Sequence, residues 1–401
     1  MNYFEKNIST TINNDLITSS TPALIVPFLF FLVFLKLILS GVSETGVAAR
    51  SVDVIFVAVL FVYLIRYSGY YFHTIPNLQI AIIFLSSTFF LTELFTNKNL
   101  IDTIFNFLKV VTPYIAFMVF YKLLRENKPV FVRLTIFVVL GCYLLTIVGF
   151  FALSNEMNRG VAYAPAFFGG LHTSSYVITL SGICAYILWK LNAISGRLAF
   201  ICLLASLILI VVAWNVRTSQ MLFLIFFAVQ YWKSIRKFVI PLAFITLICL
   251  LTALLILMLT NGTQGLSFNT ITEFSSGRTT MWLYKLQLLS NRSLIEFIFG
   301  QGSGSDLVLS DVWWWAAKDS HNDFLHVTTE LGVVGLVGLL STLWIQRCTL
   351  SRNQLLATSL FSAYISASVL SNGLVYRPIP SFIFAIAAAL LTLPKDEKQV
   401  S

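Results

Sequence analysis

The sequence predicts an all-α, polytopic integral membrane protein of about twelve transmembrane helices, interrupted once by a long extramembrane loop. Three observations carry that prediction. Hydrophobic residues make up 58% of the 401 and charged residues only 11%, against about a quarter charged in a soluble domain. Apolar runs of roughly 20 residues, the length needed to cross a ~30 Å hydrocarbon core, recur along the whole chain. Between the late runs lies one polar interval, Ser275–Gly335, which gathers arginine, lysine, tryptophan, aspartate and histidine. A transmembrane β-barrel would read instead as alternating segments of about ten residues.

Taken in order, the chain opens on a polar tail, Met1–Thr21, and the first apolar run reads as a retained helix rather than a cleaved signal. Spans are expected at Pro22–Ser40, Ser51–Ile65, Asn77–Phe95, Leu100–Tyr121, Pro129–Leu153, Thr173–Trp189, Leu198–Trp214, Ser219–Trp232 and Phe238–Thr260. After the loop at 261–326, three more are expected at Val327–Ile345, Gln354–Leu370 and Pro380–Leu393, leaving 394–401 as a tail. Basic residues gather in alternate connectors: Arg66; Lys122, Arg125 and Lys128; Lys190 and Arg197; Lys233, Arg236 and Lys237; Arg347 and Arg352; Lys395 and Lys398. The positive-inside rule puts these in the cytoplasm, both termini with them, and the 261–326 loop outside. The same rule accounts for the net charge of +9 without a nucleic-acid partner. The five cysteines lie in or beside apolar segments, so no structural disulfide is expected. No internal repeat is visible. The long loop follows the ninth span, whereas a transporter of two related halves would place it centrally.

Several residues in the outward segments have the chemistry of a site. Arg217, in WNVRTSQ at the outer end of the seventh expected span, has a planar fork suited to phosphate oxygens; an arginine snorkelling at the membrane boundary is the alternative. Arg278 follows Ser275–Ser276–Gly277, where either serine would cap a helix, and Trp282 and Lys285 share its face at i+4 and i+7. With a helix N-terminus it would hold an anion, unless the helix simply lies on lipid headgroups. In Asp319–Ser320–His321–Asn322–Asp323, His321 is suited to accept a proton near neutral pH, and Asp319 or Asp323 would orient its ring. The alternative is a surface histidine with no role. His326 falls about 140° round a helix from His321 and would not share its face.

That spacing, without an H-E-x-x-H pattern or an outward Asp-x-Asp pair, leaves no metal or other cofactor expected. Trp313–Trp314–Trp315 reads as an interfacial cluster ahead of a sugar platform. Gly300–Gln301–Gly302–Ser303–Gly304 lacks the context of a phosphate loop and reads as a flexible turn. Arg159 and His172 in one outward loop, and Tyr376 and Arg377 in another, would line an outer cavity.

Four stretches carry a resemblance: Ser276–Gly277–Arg278 with Trp282; Phe299–Gly300–Gln301–Gly302; His321–Asn322–Asp323–Phe324–Leu325; and Glu330–Leu331–Gly332–Val333–Val334–Gly335. Together they resemble the signature block of the bacterial O-antigen ligase and polymerase superfamily. The order Arg217, Arg278, His321 and the position of the long loop agree with it, although the family's mid-chain Ser/Thr–Arg is Val216–Arg217 here. The resemblance implies a GT-C-like fold in the bacterial inner membrane with its active site on the periplasmic face. It implies an inverting, metal-independent glycosyltransferase whose donor is an undecaprenyl-diphosphate-linked glycan. Arg217 and Arg278 would hold the donor diphosphate, and His321 would activate the acceptor hydroxyl. Asp319, Asp323, Trp282, Arg159, His172 and Arg377 would surround them.

Two acceptors fit. A repeat-unit polymerase, of O-antigen or capsule type, passes the growing chain to a second lipid-linked glycan and would work beside a chain-length regulator protein. A ligase passes it to lipid A–core, which is often phosphorylated and would favour a basic outer surface. From Asn261 to Glu330 the chain has four basic and seven acidic residues, which favours polymerase. A glycolipid flippase would need charges buried along a mid-membrane path. Lys36, Lys109 and Arg133 are the basic residues inside expected spans, and each is expected to reach a helix end.

Overall fold

The computed structural model describes residues 24–42, 47–96, 100–158, 161–232, 278–309, 317–350, 353–371, 375 and 377–393. The expected ninth span, both tails, the serines before Arg278, Arg159, Tyr376 and the tryptophan triple lie outside these residues. The described chain is predominantly helical, with one short antiparallel hairpin of β1 (Glu156–Asn158) and β2 (Val161–Tyr163) in the loop before residue 171. The helices are α1 (Ile25–Val42), α2 (Val47–Arg66), α3 (Ser68–Thr74), α4 (Pro76–Thr96), α5 (Leu100–Glu126), α6 (Lys128–Ala152) and α7 (Leu171–Lys190). There follow α8 (Gly196–Ile208), α9 (Arg217–Gln230), α10 (Arg278–Ser290), α11 (Leu294–Phe299), α12 (Asp323–Thr349), α13 (Gln354–Leu370) and α14 (Pro378–Leu390).

The last helix is the innermost. Every residue of α14 from Ile379 to Leu390 is buried, packed mainly between α5 and α7. Its Ala385, Ala387, Ala388 and Ala389 let neighbouring backbones approach closely, the device by which helices associate where no water drives them together. Helix α7 is nearly as enclosed, and two of its hydroxyls bond to its own backbone. Ser175 donates to the His172 carbonyl at 2.8 Å and Thr179 to the Ser175 carbonyl at 2.7 Å. Around this centre α1, α2, α4 and α6 pack on one side and α8, α9 and α13 on the other. The outer face is apolar: Phe137, Phe151, Phe200, Val212 and Trp344 all stand exposed. Such a belt suits hydrocarbon rather than water.

Five described helices are long and apolar enough to cross a membrane, or six if α2 and α3, bent by 70°, form one broken span. The spans expected at Ser219–Trp232 and Pro380–Leu393 are α9 and α14, of 14 and 13 residues. At about 1.5 Å per residue each is roughly 20 Å long, short of a ~30 Å core. Lys36, expected to reach a helix end, is instead buried and bonded to Asp53 of α2 at 2.6 Å. Opposite charge on an adjacent helix removes the need to snorkel.

The polar interval is not one open loop. Its described part folds onto the first third of α12, and the junction is a helix break. Gly332 has φ 69° and ψ −170°, which interrupts α12 and deprives the carbonyls of Thr329 and Glu330 of their helical donors. The segment after α11 supplies replacements: Gln301 N–H donates to Thr329 O at 3.3 Å and Gly302 N–H to Glu330 O at 3.0 Å. Arg292 adds a bond to Thr329 O at 2.8 Å. The stretch Gly300–Gly304, expected to be a flexible turn, is therefore a docked one.

The two backbones approach so closely that a methyl group on Gly332 would collide with the Ile298 carbonyl, and one on Gly300 with the Glu330 carbonyl. Gly332→Ala should thus destabilise the protein by at least ~3 kcal/mol, combining collision with left-handed strain. Gly304, also at positive φ, has open space where its Cβ would lie, so Gly304→Ala should cost only about 1–2 kcal/mol. Thermal midpoints of the two variants in detergent, compared with the parent, check the ranking.

Candidate functional site

Of the candidate residues, His172, Arg278, His321 and Arg377 come together where several helices begin. Arg278 is the first residue of α10 and donates to the Leu370 carbonyl at the C-terminus of α13. Arg377, immediately before α14, donates to Thr173 Oγ1 in the first turn of α7 at 2.6 Å. Asp323, the first residue of α12, accepts from Val375 N–H at 3.2 Å. Ser175 of α7 and Ser219 of α9 share a hydrogen bond of 2.7 Å, two residues from Arg217. These contacts tie the N-terminal ends of α7, α9 and α14 together, bring the start of α12 to the segment before α14, and set the start of α10 against the end of α13. An α-helix carries about half a positive charge at its N-terminus, and the first turns of α7, α9, α10 and α14 contain no acid. His172 lies within electrostatic reach of Arg377, Arg278 and His321.

Arg217 arrives by a local distortion. The end of α8 widens into a π turn at Leu209–Ala213, Asn215 takes a positive φ of 47°, and α9 starts at Arg217. The corner is pinned by Trp214, whose indole N–H donates to the Pro165 carbonyl at 3.2 Å, and by Gln220, which donates to Ile210 O and Asn215 Oδ1. Arg217 thus opens a helix rather than ending one, and its side chain is exposed.

His321 sits in a turn built from its neighbours' side chains. Its φ of 48° is uncommon for a residue with a Cβ. Asp319 Oδ1 accepts the His321 backbone N–H at 3.2 Å and lies 3.0 Å from His321 Nδ1. Asn322 then caps α12, accepting from Phe324 and Leu325 N–H at 3.0 Å each. Of the two acids expected to orient the ring, Asp319 does so, while Asp323 is fully buried and faces Val375. With Nδ1–H donating to Asp319, the lone pair of the neutral ring falls on Nε2. His321 side-chain exposure is 34%, enough for a substrate to reach it. His321 precedes the helix, so the helical angle used to separate it from His326 does not apply.

Trp282, grouped with Arg278 by its spacing, donates its indole N–H to the Ser320 carbonyl at 2.7 Å. Lys285, expected on that same face, is not presented to headgroups but buried against Asp306 at 2.9 Å. Beyond it lies a cluster absent from the sequence reading. His326 Nδ1 is 3.2 Å from Asp306 Oδ2, and its Nε2 is 3.2 Å from Glu330 Oε1. These are ion-pair contacts rather than straight hydrogen bonds. Glu330 also accepts from Gly304 N–H at 2.6 Å and from Asn106 of α5 at 3.3 Å. Lys285, Asp306 and Glu330 being buried, the charge tally of the polar interval is not a tally of its surface. Among the described residues, no group of His, Cys, Asp or Glu is arranged to hold a metal ion.

Beside the His321 turn runs an apolar groove of about 630 Å³ between α10, α11, α12 and α13, lined among others by Trp282, Leu286, Phe297, Phe324, Leu325 and Leu336. The groove reaches the His321 turn through Asn322 and Trp282. Inorganic pyrophosphate should bind the purified protein, and Arg278→Gln should weaken it about tenfold, as expected for loss of one charge-assisted contact. Titration calorimetry at two salt concentrations checks both the loss and its screening. The chain matches no known protein-family model and no curated protein sequence.

Proposed function

We propose that this protein is a membrane glycosyltransferase that polymerises glycan repeat units carried on undecaprenyl diphosphate, working at the outer face of a bacterial inner membrane. The observation that carries the proposal is the His321–Asp319 pair, with Nδ1 and carboxylate 3.0 Å apart, together with His172 lying within electrostatic reach of His321, Arg278 and Arg377. A base beside an anion-binding cluster is what transfer from a diphosphate leaving group requires. The adjoining apolar groove suits the isoprenoid of such a donor, so head and tail of one amphiphile have matching surfaces.

In this reading the chain crosses the membrane about twelve times in a GT-C-like arrangement, both termini cytoplasmic. The acceptor hydroxyl attacks the anomeric carbon of the donor and gives its proton to His321 Nε2. The bond from that carbon to the diphosphate oxygen breaks, and the lipid diphosphate leaves with the electron pair. Arg278 and Arg217 stabilise the growing negative charge, helped by Arg377 and the helix dipoles. Displacement from the opposite face inverts the anomeric centre. No step calls for a metal.

Deletion of the gene tests the acceptor. A polymerase deletion should leave surface glycan of a single repeat. Loss of all surface repeats with accumulation of lipid-linked polymer would make the enzyme a ligase to lipid A–core. Lipid-linked repeats trapped on the inner leaflet would make it a flippase. Complementation with His321→Ala or Arg278→Ala should fail to restore long chains, by about 10²-fold or more in transfer rate. Long-chain product at parental level from both folded variants would sink the glycosyltransferase assignment.

A further inference from the structure

The clamp on the peptide that carries His321 points to an additional residue of the site, resting on the reading of His321 as the base. Asp306 is fully buried in the segment after α11. Its Oδ1 accepts from Lys285 Nζ at 2.9 Å, and Lys285 also donates to the Asp306 backbone carbonyl. Its Oδ2 accepts from the backbone N–H of Ser320 at 2.7 Å and lies 3.2 Å from His326 Nδ1. A carboxylate this far from water persists only with cations and donors around it, and here those partners come from α10, α12 and the turn itself. Ser320 is the residue before His321. Its N–H is held by Asp306, while its carbonyl is held by Trp282 Nε1 at 2.7 Å. The peptide units on both sides of Ser320 are therefore fixed from outside the turn. The second of them is the one from which the His321 φ of 48° is measured.

We propose that Asp306 is a positioning residue for His321: with Trp282 it holds the 319–321 backbone so that His321 keeps its left-handed backbone conformation and its ring stays paired with Asp319, and Lys285 and His326 hold Asp306 in turn. The role is distinct from packing. Asp306 and Trp282 both act on main-chain atoms of Ser320, one on its N–H and one on its carbonyl, so they fix the backbone of the turn without contacting the His321 ring.

The test uses the full-length protein in proteoliposomes, with lipid-linked glycan purified from the cells that make it, and reports rates per folded molecule from gel filtration. Asp306→Ala should lower kcat about hundredfold, the scale of a ~1 Å misplacement, while donor KM and pyrophosphate binding stay within about twofold. Asp306→Asn alone strands the Lys285 ammonium. Combined with Lys285→Met it leaves an amide oxygen for Ser320 N–H and should recover kcat to within about tenfold of the parent. Trp282→Phe removes the other tether and should lower kcat about tenfold with pyrophosphate binding retained. If Asp306→Ala does not fold, the double variant and Trp282→Phe decide. Unchanged kcat in folded Asp306→Ala overturns the inference, as does a double variant no more active than Asp306→Asn, or a loss of pyrophosphate binding that parallels the loss of rate. Parental activity in His321→Ala would instead overturn the reading of His321 as the base, whatever Asp306 does.

Discussion

The break in α12 at Gly332 governs how the polar interval folds. A continuous helix would satisfy its own carbonyls and have no call on other backbone donors. The interruption leaves Thr329 and Glu330 carbonyls in need of partners, and Gln301, Gly302 and Arg292 provide them. That docking brings Gly304 within bonding distance of the Glu330 carboxylate and Asp306 within reach of His326. Once Asp306 is there, Ser320 is tethered and the His321 turn has a fixed base. Separate segments of the polar interval are thus ordered by one defect in a helix. The near contact of Gly300 with Gly332 is what permits it, since any side chain at either position would hold the backbones apart.

The electrostatics of the site follow from topology more than from the count of basic residues. Helices α7, α9 and α14 are linked at their N-terminal ends by contacts among Thr173, Ser175, Ser219 and Arg377, while Asp323 at the start of α12 meets Val375 and Arg278 at the start of α10 meets the end of α13. Arg278 and Arg377 each bond to a neighbouring helix, so two guanidinium groups are preorganised before any ligand arrives. Preorganisation is what makes fixed charge effective against a developing anion, because no reorientation is needed during the reaction.

Much of this was legible in the sequence, and the exceptions share a cause. Composition predicts apolar helices, and their outward belt is present in α4, α6, α8 and α12. Helical spacing correctly places Trp282 and Lys285 near Arg278, but spacing cannot say that Lys285 turns inward, because its partner Asp306 lies in another segment. The glycines at 300–304 read as a turn because their docking partner, the broken α12, is visible only once Gly332 is known to have φ 69°. One glycine among three in an apolar run (Gly332, Gly335, Gly338) carries no such signal. Asp306 itself was invisible for the same reason: its contacts come from Lys285, Ser320 and His326, each remote in sequence. Helix lengths were legible: the expected runs Ser219–Trp232 and Pro380–Leu393 match α9 and α14 to within about two or three residues at each end. Whether so short a run crosses a membrane was not, since hydrophobicity marks burial against protein as readily as against lipid.

The two histidines of the HNDFLH stretch show how surroundings divide one chemistry into two roles. His326 has a carboxylate at each ring nitrogen and is almost wholly enclosed. Two carboxylates 3.2 Å from its ring nitrogens favour the charged form of the imidazole by Coulomb attraction, so His326 serves as a fixed charge that balances Asp306 and Glu330 with Lys285. His321 has a carboxylate on Nδ1, stands a third exposed, and is held in a left-handed turn by bonds to atoms other than its own ring. With Nδ1 facing Asp319, the neutral ring keeps Nε2 as its proton acceptor. The buried histidine stabilises the platform, and the exposed one is left with the chemistry. The acid between them, Asp323, is turned away into the protein, which keeps a second carboxylate from competing for the ring.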